Sequence, residues 1–197
     1  MTDRNAALDA LEGKAPAIFL AAGLVMLVFA ANTYLKTFTG KSYPVVQGVV
    51  APIGFLIGVV GLFGLYSGLP DRTATLSRAA AVVTTVAAVG WIVIIVASAV
   101  SQGEPGGPLA IIPLVTIVSM VLAFTLFGVI SLRSAIYSRI VGGLLLVESA
   151  MFLLVIAGAP GFLIDTGHVL AYLGIGIVLR TTGISSDNAG AVSDSTV

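Results

Sequence analysis

The chain has no cysteine, a single histidine and very little charge. Without cysteine there are no disulfides, no thiolate metal sites and no cysteine nucleophile. One histidine argues against a His-rich metal or haem site, so neither a metal nor a cofactor is expected. Charged residues are only 9% of the total, nine basic against nine acidic, and the balanced charge gives no reason to expect a nucleic-acid partner. The chain also lacks G-x-S-x-G, a phosphate-binding glycine loop and a paired HExxH, so enzymatic activity is not expected. All three lysines fall outside the apolar runs, which excludes a retinal-type Schiff base within them.

What is there is apolar. Of 197 residues 58% are hydrophobic, 23 are glycine, and the mean hydropathy is +1.12. This is the composition of an all-α integral membrane protein whose main partner is the lipid bilayer. Six apolar runs of spanning length predict a six-helix transmembrane domain over residues 15–180, with spans near 16–34, 45–69, 79–100, 109–132, 140–158 and 162–179. The first run is about 29 Å long as a helix, enough to cross the hydrocarbon core. It is longer than the apolar core of a signal peptide, so cleavage is disfavoured. Residues 1–14 read as a polar cytoplasmic segment with room for a short interfacial helix, and Pro16 fits the first helical position. Residues 181–197 lack any apolar run and read as a disordered cytoplasmic tail.

Basic residues set the expected orientation. Arg4, Lys14, Arg72, Arg78, Arg133, Arg139 and Arg180 fall on one side of a six-span fold, and only Lys36 and Lys41 on the other. The positive-inside rule then places both termini in the cytoplasm and the protein in the cell membrane.

Two features of the second span stand out. Pro52 removes a ladder bond, so a kink or a late helix start near Ala51 is expected. Gly54, Gly58, Gly61, Gly64 and Gly68 fall within a stripe roughly 120° wide, a surface on which another helix can approach closely.

An internal repeat is also suggested. Leu62-Phe63-Gly64 with Ser67 matches Leu126-Phe127-Gly128 with Ser131, Ser77-Arg78 matches Ser138-Arg139, and Trp91 falls on Phe152. Spans two–three and four–five therefore look like a duplicated helical hairpin in parallel orientation. The LFGxxS ends, the arginine-bearing turns and the Gly142-Gly143 start of span five resemble small multi-span membrane proteins of haloarchaeal type. The resemblance covers roughly residues 45–180. It implies an integral membrane bundle and carries no activity or site residue with it.

The last hairpin holds the ionisable groups placed inside spans: Glu148, Asp165 and His168. Each costs at least ~2.5–3.5 kcal/mol on insertion scales, so each invites a functional question. Asp165, His168 and Tyr172 share one helical face, and a turn centred near Pro160 would set Glu148 level with Tyr172. The four would form a polar file able to pass protons, bind a cation or hold one polar ligand. Equally, Asp165 suits a helix start and Glu148 suits interhelical hydrogen bonding. Two functions follow. The first is a non-enzymatic membrane-embedded subunit or regulatory partner, associating with its own copies or with other membrane subunits. The alternative is a small proton- or ion-coupled permease or channel built on Glu148 and the Asp165/His168/Tyr172 face.

Overall fold

The computed structural model describes residues 2–67, 69, 74–101, 111–134 and 136–182. Its helices are α1 (Thr2–Thr39), α2 (Ala51–Ser67), α3 (Ala74–Ser101), α4 (Ile111–Ser134), α5 (Arg139–Ile156) and α6 (Gly161–Thr182). All six are long and apolar enough to cross a membrane, α2 counted with the turn before it, and the described residues contain no strand. The described residues thus form an all-helical six-helix bundle.

The first helix differs from the expectation. No break separates residues 2–14 from the span, and Pro16 lies inside one continuous helix instead of at its first position. Tertiary packing supplies the reason. Gly64 of α2 lies so close to the extra turns that a methyl there would come within 2.9 Å of Ala15 Cβ and of the Leu11 carbonyl oxygen. Contacts of that kind offset the one ladder bond a proline removes. At the other end Gly40, with φ +71°, donates its N–H to the Lys36 carbonyl at 3.1 Å and ends the helix in a left-handed turn.

The irregularity expected around Pro52 takes a specific form. Val46–Val50 make a π-turn that leads directly into α2. In a regular α-helix the ring of Pro52 would press on the carbonyl four residues back. The wider turn relieves that clash and re-aims the residues ahead of it.

Each helix packs on its neighbours in sequence, and α6 returns to pack closely on α1, so the six form a closed ring. The buried interior is aromatic, filled by Phe19, Phe55, Trp91, Phe124, Phe127, Phe152 and Tyr172. Outside, large apolar side chains such as Leu24, Val82, Val96, Leu122 and Leu170 are exposed, as lipid-facing groups must be. Several threonine hydroxyls bond back to their own helix's carbonyls, Thr84 to Ala80, Thr85 to Ala81 and Thr116 to Ile112, whereas Ser149 of α5 reaches across to Thr125 and the Val121 carbonyl of α4.

Gly54, Gly58, Gly61 and Gly64 are all buried, against Met26, Tyr172, Phe19 and Ala15 respectively. The glycine face of α2 therefore receives α1 and one side chain of α6. Gly68 lies outside the described residues. The two Leu-Phe-Gly segments pack on different neighbours, Gly64 against α1 and Gly128 against the Gly142 carbonyl and Leu146 of α5.

α5 and α6 are joined by a tight turn. Gly158, with φ +73°, follows the last turn of α5, and the amides of Ala157, Gly158 and Ala159 bond back to the carbonyls of Leu153, Val155 and Leu154. This is the left-handed helix stop for which glycine is suited, and Pro160 then prevents continuation. α6 runs on to Thr182; the tail expected beyond it, residues 183–197, lies outside the described residues, as do Arg72 and the turn between α3 and α4.

Candidate functional site

The tight turn fixes the register of α5 against α6. Counted from the helix ends, Glu148 lies about 12 Å down α5, His168 about 10 Å down α6 and Tyr172 about 16 Å. Glu148 therefore falls between His168 and Tyr172 and not level with Tyr172, which corrects the order of the file. The pairing is direct: His168 Nδ1 lies 2.7 Å from Glu148 Oε1. Both side chains are essentially closed to solvent, at 1% and 0% exposure.

Two forms without net charge fit this contact. A carboxylate can accept from an imidazolium, or a neutral acid can donate to a neutral imidazole. The two carry the same number of protons and no net charge, which is what an apolar interior requires of a polar pair. Aromatic rings enclose it: the His168 ring lies 4.7 Å from Phe152 and 5.0 Å from Phe55, centroid to centroid. Phe55 in turn stacks on Trp91 at 4.9 Å.

Tyr172 is the next turn of the same face. Its ring sits between Phe19 and Phe124, and its hydroxyl presses on Gly58, where any side chain would collide with it. The phenol is near enough to Glu148 to interact with it, yet neither the hydroxyl nor Glu148 Oε2 has a partner in hydrogen-bond geometry. Two unsatisfied polar atoms at full burial are costly. Asp165, one turn in the opposite direction, is 6% exposed, with the Thr33 side chain and His168 as its neighbours.

Nothing in the sequence pointed to the space above this file. A cavity of about 1500 Å³ occupies the ring at the α1–α2 end, and all six helices contribute to its wall. Exposed Lys36, Thr37, Pro44 and Val45 rim it, Gln47 and Gly48 of the π-turn line it, and Asp165 and His168 lie deeper in its wall. Phe55, Trp91, Phe152, Ile94 and Ile117 make the remainder largely apolar. Trp91 and Phe55 are the residues that sequence reasoning missed. A lone tryptophan within a span was the available signal, since its N–H needs a partner when buried.

Glu148 and Tyr172 do not line the cavity; they lie behind His168. Beyond them the ring is closed. Leu62, Leu65, Phe127, Ile130, Leu145 and Ile175 are fully buried there, and the Tyr137 hydroxyl donates to the Leu65 carbonyl at 2.8 Å. Burial first, and then the charge of Glu12, hold that phenol well above its ordinary pKa, so it remains a neutral donor. The arrangement is a cavity open at one end with the Glu148–His168 pair at its base. Among the described residues no three His, Asp or Glu converge as a metal site, because Asp165 stands a turn away from the pair. No family model, no curated protein and no solved structure matches the chain.

Proposed function

We propose that this multi-pass protein is a small proton-coupled permease of the cell membrane, with the α1–α2 end outward and both termini cytoplasmic. One observation carries the reading: the buried Glu148–His168 pair lies at the base of a cavity that is open at one end only and closed at the other. A carrier exposes its site to one side at a time, and a site near the bilayer midplane under a half-open vestibule suits that cycle. An intramembrane acid with a proton-exchanging neighbour suits coupling. A purely packing subunit has no need of a wide cavity lined by Asp165, His168 and Gln47, which is why the permease outweighs the subunit.

The test uses purified protein in vesicles that enclose a pH-sensitive dye. Separate pools of amines, amino acids, sugars and organic acids are added outside. At least one pool should change the internal pH with the native protein and fail to do so with Glu148→Gln, which retains shape and hydrogen bonding but cannot release a proton. The folded yield of that variant should be nearly native. Absence of a pH change with every pool, or an unaffected Glu148→Gln, would return the protein to the subunit reading.

A further inference from the structure

We infer that the solute accommodated in the vestibule is an organic monocation, an ammonium compound with an oxygen acceptor, bound at Asp165 in exchange for one proton. The inference rests on the permease reading and adds the substrate class.

Charge balance is the first argument. With all groups ionised, Asp165 and Glu148 contribute two negative charges and His168 one positive. The cluster is then one cation short of neutrality in a region where an uncompensated charge is strongly disfavoured. One proton or one monovalent cation neutralises it, and the two exclude each other. A second lining residue of positive charge, Lys36, does not change the balance. It is exposed at the rim, where solvent and salt screen it, whereas Asp165 is 6% exposed.

The wall is the second argument. Phe55 and Phe152 pack on the His168 ring and Trp91 stacks on Phe55, and all three line the same cavity as Asp165. A cavity whose wall holds aromatic rings and one carboxylate suits a weakly hydrated organic ammonium better than a small metal ion, which demands several oxygen ligands. Trp91 supplies the third. It is 7% exposed, it lines the cavity, and its indole N–H has no partner. The donor is closed to solvent, so a hydroxyl or carbonyl oxygen on the ligand would satisfy it with a rotation of the indole toward the cavity.

The experiment is direct binding to the purified full chain, read by titration calorimetry and by the emission of Trp91, the sole tryptophan. Choline and benzyltrimethylammonium are the probes, 3,3-dimethylbutan-1-ol is the neutral isostere of choline, and benzenesulfonate is the anionic control. Both cations should bind saturably, with at least about tenfold preference for choline over the alcohol. About one proton should be released per cation, measured in buffers of different ionisation enthalpy. Asp165→Asn should lose at least about tenfold in affinity; Asp165→Glu, which retains the charge, should recover part of it, and serves as the comparison should the Asn variant fold poorly. Equal binding of alcohol and choline, no saturable binding of either cation, or unchanged affinity in Asp165→Asn would overturn the inference. Cation binding without any proton-linked flux would sink the permease reading alone. Proton-linked flux of another solute class without cation binding would sink this inference alone.

Discussion

At the α1–α2 end the helices stand apart around a cavity of about 1500 Å³, while at the arginine-rich end the same six helices meet side chain to side chain. The open end is built with backbone irregularity: a π-turn before Pro52, and loop residues tied down by the Asn32 carboxamide, which accepts from the Tyr43 amide at 2.8 Å. The closed end is built with glycine and aliphatic residues, Gly64 on α1 and Gly128 on α5. Lipid offers no hydrophobic drive between helices, so contact has to come from fit. Where the backbone is regular and glycines allow close approach, the ring closes. Where a proline and a wide turn interrupt the helix, it opens.

Accessibility distinguishes the two ends most directly, because the chain has no native cysteine. Ser98→Cys, in the cavity wall, should react with a membrane-impermeant maleimide from the α1–α2 side, as should Ser42→Cys in the exposed loop. Ser131→Cys, fully buried at the closed end, should not react from either side. Thr75→Cys should react only from the other side. Labelling of Ser131→Cys at the rate of Ser98→Cys would show that the closed end is open too.

Close fit at the closed end predicts the largest loss of stability. Gly64→Leu drives a side chain into the backbone of α1 and should cost about 3 kcal/mol or prevent folding, at the upper end of what overpacking does. Val59 lies away from the glycine face but is itself fully buried, so the lipid-facing comparison is Val60, 37% exposed. Val60→Leu should leave thermal stability within about 0.5 kcal/mol of native, as surface changes do. Equal losses at the two sites would remove the packing argument.

Much of this was legible in the sequence, and the boundary is informative. Six helices followed from apolar length, because a backbone in hydrocarbon has no other open-chain solution. The turn at Gly158 and the disturbance at Pro52 followed from local chemistry. The Glu148–His168 contact was missed by one turn, because depth was counted from a presumed turn centre. The helix ends at Ile156 and Gly161 shift that count. Continuity of α1 through Pro16 and the closure of α6 on α1 were not legible, since both depend on contacts between residues far apart in the chain. The cavity was not legible for the same reason: it is the space left by six helices, and no single span encodes it.

At the closed end, Tyr137→Phe removes the donor to the Leu65 carbonyl without changing the shape of the ring. Hydrogen bonds between helices in membranes are worth about 1 kcal/mol, so thermal unfolding should report a loss near that figure. Water has little access there to replace the lost partner.

The corresponding tie at the open end should matter less. Asn32→Ala removes the acceptor for the Tyr43 amide, a net hydrogen bond worth about 1 kcal/mol before compensation. Two effects oppose the loss. Tyr43 is exposed, so water can take the place of the carboxamide, and the Asn32 Nδ2 group, buried without a partner, disappears with the substitution. The cost in stability should therefore be smaller than for Tyr137→Phe, about 0.5 kcal/mol or less. The loop at the rim of the cavity would nonetheless lose its anchor, and Ser98→Cys should label faster in the Asn32→Ala background. A loss larger than that of Tyr137→Phe would mean that the rim is as tightly packed as the closed end. The contrast between the two halves would then rest on the cavity alone.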